Sequence, residues 1–168
     1  MKKIFSFCLI LLTTRILSAQ MIIPITFDGK KYEVLDMSAK GKVLWGGTTK
    51  MIPGNAAKSE SDGAANTVAI VAAVGENAGA GIKGVSYAAK LCSDAENGGK
   101  KDWYLPSKNE SDAIYAYKAQ FRIAERGSIW TSTEVNGTQA VSKYWYNGNF
   151  YNLTKVDTLQ FLCIRKVE

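Results

Sequence analysis

Asp102-Trp103-Tyr104-Leu105-Pro106-Ser107-Lys108-Asn109-Glu110 and Trp130-Thr131-Ser132-Thr133-Glu134, with the closing run Phe161-Leu162-Cys163-Ile164-Arg165, decide how the chain is read. In the first stretch Ser107 and Glu110 spell an S-x-x-E capping box, in which each side chain satisfies a backbone N–H that the first turn of a helix leaves free. The box predicts a helix that begins after Pro106, carries Ile114, Tyr117 and Phe121 on its core face, and closes at Gly127. From Ser128 onward the pattern is that of strands. Lys143–Tyr146 and Asn149–Leu153 flank Asn147-Gly148, predicting a tight hairpin with a type I′ turn, and Phe161–Val167 predicts a last strand.

Upstream of the box, Val85, Ala88, Ala89 and Cys92 fall at i, i+3, i+4 and i+7, predicting a helix over Val85–Glu96 that buries Cys92 and ends at Gly98-Gly99. Ile22–Phe27 and Lys31–Leu35 read as strands joined at Asp28-Gly29, a hairpin-turn signal, and Gly41–Gly46 as a further short strand. Residues 50–84 are rich in Ala, Gly, Asn and Ser and read as a long compact loop. Within it Thr67–Val74 suits a short helix or a buried strand, and periodicity does not choose between them. Strands, two helices, then strands, with both ends in sheet, predict an α+β domain with antiparallel sheets.

Residues 1–19 read as a secretory signal peptide: Lys2 and Lys3 start it, Ile4–Leu12 form its apolar run, and Ser18-Ala19 offers a cleavage site before Gln20. Arg15 interrupts a run already too short to span a bilayer, so no membrane span is expected after cleavage. The expected location is secreted, in the periplasm or outside the cell. Residues 20–168 are enough for one domain with a proper core. The leader holds Lys2, Lys3 and Arg15 and no acid, so its removal leaves 18 basic against 15 acidic residues, a net charge of +3 in place of +6. So small a surplus, without a basic cluster, gives no reason to expect nucleic-acid binding. Cys92 and Cys163 then remain, either bonded to each other, the default in an exported protein, or as two buried thiols.

No histidine occurs, which removes the commonest catalytic base and metal ligand. A serine or cysteine nucleophile would need a lysine or carboxylate base. Ser107 is committed to helix capping, and no spacing brings Glu134 to Asp157, so no catalysis is expected. Gly79-Ala80-Gly81-Ile82-Lys83-Gly84 matches G-x-G-x-x-G, but Gly75-Glu76-Asn77-Ala78 separates it from the apolar run before it, so close packing explains the glycines better than a dinucleotide. Glu134, Asn136, Asn147 and Asn149 carry oxygens of the kind calcium takes, yet no dense acidic loop accompanies them, and no cofactor or metal is expected. The aromatic hairpin is the strongest binding signal. Strand alternation places Tyr144, Tyr146 and Tyr151 on one face and Trp145 and Phe150 on the more apolar other, so the tyrosines are expected to point outward. Exposed, they suit sugar stacking or protein contact; the alternative is that they only stabilise the sheet.

The stretches at Asp102–Glu110 and Trp130–Glu134 and the strand around Cys163, with Leu44-Trp45-Gly46 and Asp62-Gly63-Ala64-Ala65-Asn66-Thr67 upstream, resemble the bacterial domain family called DUF1566, also known as the C-terminal domain of the Legionella collagen-like adhesin. Members of that family resemble C-type lectins and the variable receptor-binding proteins of diversity-generating retroelements. The resemblance covers most of residues 30–168. It implies a C-type-lectin-like domain with paired termini, a long loop region carrying ligand contacts, and a bond between a helix cysteine and a last-strand cysteine, which Cys92 and Cys163 fit. The chain departs from the calcium-dependent lectins, since the E-P-N or Q-P-D triplet followed by W-N-D is missing and Trp145-Tyr146-Asn147 echoes only its second part. The paired active-site cysteines of formylglycine-generating enzymes, which share a related fold, have no counterpart. The expectation is a non-catalytic recognition or adhesion domain that binds a carbohydrate or protein ligand at a cell surface through Tyr144, Tyr146 and Tyr151, helped by Trp130, Glu134 and Asn149. The alternative is a structural subunit of a cell-surface or fibre-like assembly, a homo-oligomer packed through residues 50–84.

Overall fold

β1 (Ile22–Phe27) and β2 (Lys30–Asp36) form a hairpin whose turn residues Asp28 and Gly29 have φ of 49° and 69°, the left-handed pair a type I′ turn requires. The computed structural model that shows this describes residues 20–47, 50–76 and 86–167; the expected leader and the glycine-rich motif at 79–84 lie outside them. β6 (Leu162–Val167) pairs antiparallel on the other side of β2, giving a three-stranded sheet in the order β1-β2-β6. The first and last strands of the described residues therefore share a sheet, although it is β2 and not β1 that meets the last strand. Among the described residues three α-helices follow the hairpin in sequence, α1 (Gly63–Val74), α2 (Ala88–Ser93) and α3 (Lys108–Tyr115). β3 (Ser128–Glu134), β4 (Gln139–Tyr144) and β5 (Phe150–Thr154) make a second antiparallel sheet, an up-and-down meander in the order β3-β4-β5. The architecture is a small α+β domain of two three-stranded antiparallel sheets.

Strand alternation builds two cores from the first sheet. Ile23, Ile25, Tyr32, Val34, Leu162 and Ile164 share one face and pack with Ala113 and Ile114 of α3, Phe121 and Trp145. Leu35 and Cys163 share the other face and pack with Ala88, Ala89 and Cys92 of α2 and with Trp45 and Trp130. Cys92 and Cys163 are joined by a disulfide, Cα–Cα 5.4 Å, and both are fully buried, which removes the two-thiol alternative.

Four expectations change. Residues 50–84 are not loop throughout: of the helix and strand alternatives for Thr67–Val74 the helix forms, within α1, capped by the Asp62 side chain on Ala65 N–H. The helix expected over Val85–Glu96 is seen over Ala88–Ser93, and the one begun by the capping box ends at Tyr115, with a 3-10 turn at Lys118–Gln120 delivering Phe121 to the core. Gly41–Gly46 makes only isolated bridges, Val43 to Leu159 and Leu44 to Tyr87. The β4–β5 hairpin is not closed by a type I′ turn: of Asn147 and Gly148 only Gly148 has positive φ, 76°. Its loop spans 145–149, with Gly148 N–H donating to Tyr144 O (2.9 Å) and Tyr144 N–H to Asn149 O (2.8 Å). The longer loop lets Trp145 leave the strand and bury its ring, burial that outweighs the preference of Asn-Gly for a two-residue turn.

The sequence stretches that suggested the fold meet at one buried polar junction. Glu110 closes the predicted capping box with Ser107, and its carboxylate also accepts from Gly63 N–H (3.0 Å) and Tyr104 Oη–H (2.9 Å). Glu110 thereby ties the first turn of α1 to the first turn of α3, where the N–H groups of both helices favour an anion. Burial, reinforced by the Glu110 carboxylate, pushes the Tyr104 hydroxyl far above its ordinary pKa and keeps it a donor. Asn66 Nδ2–H reaches Ser132 Oγ (3.2 Å), Lys108 N–H reaches Thr133 Oγ1 (3.0 Å), and Trp45 Nε1–H reaches Thr131 O (2.7 Å). Each of these bonds satisfies a polar group that burial would otherwise leave without a partner.

Candidate functional site

The β4–β5 hairpin presents three tyrosines from a buried base. Trp145 sits edge-on to Tyr115 (5.8 Å between centroids, 89°) and to Phe121 (6.1 Å, 80°), fixing the loop to the core. Gly148 lies so close to Tyr115 that a Cβ would stand 2.6 Å from its ring, and its φ suits glycine besides. With Trp145 turned inward, its neighbours turn outward. Tyr146 is 53% exposed, Tyr151 on β5 is 46% exposed, and Tyr144 is half-buried between them. The Tyr144 ring lies 5.8 Å from Tyr151, near perpendicular, and 6.3 Å from Tyr146, tilted at 51°. The three rings form one aromatic patch with phenol hydroxyls, able to stack on an apolar face and hydrogen-bond at its rim.

The other expected contact residues separate. Asn149 is at the patch: its side chain is exposed, its carbonyl closes the hairpin, and its N–H donates to Asn147 Oδ1 (3.0 Å). Trp130 is fully buried, its Nε1–H donating to Val43 O (2.9 Å), and serves the core. Glu134 is buried at the far end of the sheet, paired in register with Ala140 while Tyr144 ends β4 at the other side. Burial of both residues comes from β3 being enclosed along nearly its whole length. The four oxygen-bearing residues considered for calcium are split in the same way, Glu134 and Asn136 at one end of β4, Asn147 and Asn149 at the other. Asn136 Oδ1 accepts from Thr138 and Gln139 N–H (both 2.9 Å) within its own turn. Among the described residues no cluster of three or more Cys, Asp or Glu could hold a metal ion.

Glu134 forms an ion pair with Lys155, and both side chains are wholly inaccessible. Lys155 Nζ also donates to Lys50 O (3.2 Å) and lies 4.6 Å from the Trp45 ring, while the Glu134 carboxylate accepts from Ile52 N–H (3.0 Å). Burial pulls the Lys155 pKa below its ordinary value and the Glu134 carboxylate opposes that fall. Asp157 is not part of this pair and accepts from Thr154 N–H (3.2 Å).

A second cation supports the patch from behind. Lys143 on β4 is buried, pairs with Asp112 of α3, and stands 4.0 Å from the Phe150 ring and 5.0 Å from that of Tyr115. Sequence reasoning missed it, although the alternation that put Trp145 inward also puts Lys143 inward. Lys118 Nζ reaches Tyr146 O (3.3 Å) and Tyr115 Oη (3.2 Å), holding the loop from outside. A separate cavity of about 300 Å³ lies on the first sheet, lined by Gly29, Lys30, Lys31, Tyr32, Lys166 and Val167. Among the described residues no helix is long and apolar enough to cross a membrane. Compared with known protein families and with curated proteins, the chain shows no match to either.

Proposed function

We propose that the protein is an exported, non-catalytic recognition domain with a C-type-lectin-like, DUF1566-like fold, and that Tyr144, Tyr146 and Tyr151 with the Asn149 side chain bind a carbohydrate at a cell surface. The observation that carries this reading is the tyrosine patch, with Tyr146 and Tyr151 about half exposed, the first on a loop held by Trp145, Lys118 and Gly148 and the second on the adjoining strand β5. Large rigid rings lose little side-chain entropy on contact, and a hydrophobic ring with a hydroxyl rim suits the alternating apolar and hydroxylated surface of a sugar. Calcium has no part in it. The secreted location and the disulfide belong to the same picture, since such bonds persist in oxidising compartments.

The test is a glycan-array screen with and without chelator, followed by titration of the triple variant Tyr144→Ala/Tyr146→Ala/Tyr151→Ala. Binding should survive chelation, and the variant should lose at least about ten-fold in affinity, roughly 1.4 kcal/mol, while keeping wild-type circular dichroism. Unchanged binding by a folded triple variant overturns the site, and silence across the array with binding to a surface protein moves the ligand to that class. The structural-subunit reading has one observation in its favour: α1 leaves Val68 70% exposed beside exposed Ala65, Ala72 and Ala73.

A further inference from the structure

β5 ends the second sheet, and its bonding parity fixes which peptide groups face outward. Tyr144 N–H donates to Asn149 O and Lys155 N–H to Thr138 O, with Ser142 opposite Tyr151 and Ala140 opposite Leu153. Antiparallel alternation therefore turns the backbone groups of 149, 151, 153 and 155 inward to β4, and those of Phe150, Asn152 and Thr154 away from it. Asp157 Oδ2 takes the Thr154 N–H (3.2 Å). The N–H and C=O of Phe150 and Asn152 have no partner among the described residues.

The molecule blunts its other sheet edges. On β1 the outward positions include Pro24, which has no N–H, and Thr26, whose N–H donates to Tyr117 Oη (3.2 Å) and whose carbonyl accepts from it (2.8 Å). β6 is bridged by Tyr104 at Ile164 (2.9 Å in each direction). β3 gives N–H groups to Gln160 O (3.0 Å), Pro106 O (2.7 Å) and Ala57 O (2.7 Å). An edge left open is usually guarded by lysine, proline or a bulge. Phe150-Tyr151-Asn152-Leu153-Thr154 has no proline and no charged side chain.

We propose that β5 pairs antiparallel with β5 of a second copy about a two-fold axis at Tyr151. Phe150 of each copy lies opposite Asn152 of the other, and the two exchange both N–H···O bonds. Tyr151 faces its own counterpart in the non-hydrogen-bonded position, where side chains approach closest. A two-fold interface sets each side chain against its symmetry-related neighbours, so a charged strand would repel itself and this neutral one does not. The two three-stranded sheets become one continuous sheet with both tyrosine trios on the same face. This goes beyond the ligand reading, because pairing can fail while the tyrosines still bind.

Sedimentation of the purified protein over a concentration series is the test. The weight-average mass should rise toward twice that of a single chain. Asn152→Pro removes only an outward N–H, and Tyr151→Lys opposes two charges across the axis; each should hold the protein monomeric over the same range. In the pairing proposed, the Tyr151 Cα atoms stand about 4.5 Å apart, within disulfide reach. Tyr151→Cys should therefore oxidise to a covalent dimer, while the exposed control Val156→Cys should not. A wild-type protein that stays monomeric up to about 1 mM overturns the proposal, as does a dimer that both Tyr151→Lys and Asn152→Pro leave intact.

Discussion

Gly63 has no room for a β-carbon: one added there would lie 2.5 Å from Glu110 Oε2 and 2.6 Å from both Leu105 O and Ser107 N. Two of those neighbours are backbone, so Gly63→Ala must push α1 off the junction or break the Glu110 contacts, at a cost of about 1–3 kcal/mol in chemical denaturation. An unchanged midpoint would mean that the junction yields more easily than its geometry allows. At this scale the sequence was readable where partners are close in the chain. The two partners of the Ser107–Glu110 box are three positions apart, and the box formed as expected. Lys155 was not readable as a buried residue, and Lys143 only through the strand alternation that turns Trp145 inward. What neutralises Lys143 is Asp112, on another element, and Lys155 meets Glu134 across the intervening strands. Trp130 and Glu134, expected among the ligand contacts, are turned inward by the enclosure of β3.

Between elements, β2, β6 and the segment around Lys100–Asp102 are laced by ions at the rim of the first sheet. Glu33 and Arg165 face each other in register (3.0 Å), Lys100 reaches Glu33 at 2.6 Å, and Asp102 reaches Arg165 at 2.7 Å. Lys100, and then Arg165, hold the Glu33 carboxyl below its ordinary 4.5, and Arg165 holds that of Asp102 below 3.8. Depressed folded values mean that this stabilisation is fully present above the ordinary values and disappears as pH falls through the folded ones. Each pair, near the surface, contributes less than about 1 kcal/mol. Between about pH 6 and pH 3 the wild type should accordingly lose more unfolding free energy than Glu33→Gln/Asp102→Asn. Equal losses would show that the network is fully screened. The sequence left α1 undecided between helix and strand because it is apolar on both faces, so no helical stripe stands out against the strand alternative.

For the molecule as a whole, α+β class, the N-terminal hairpin and the pairing of Cys92 with Cys163 were legible, because turn chemistry and cysteine count constrain them strongly. That the sheets would be antiparallel was legible too, but which strands share a sheet was not, since the pairing of β2 with β6 joins residues far apart in the chain. The stretches most informative about fold proved least informative about ligand, for their polar residues are spent on the buried junction. The disulfide closes a separation of 71 residues between α2 and β6, and Cys92→Ser should lower the unfolding free energy by about 2–5 kcal/mol. A variant as stable as wild type would mean that packing around Leu35 and Trp45 alone holds the two elements together. The strand order β1-β2-β6 also sets a timetable. A ribosome delivers β2 early and β6 near the end of the described chain, so a nascent molecule carries a central strand paired on one side only until residues 162–167 emerge. The first sheet therefore cannot close until everything between β2 and β6 has been made, and until then the growing chain presents an unfinished edge that must be kept from other chains.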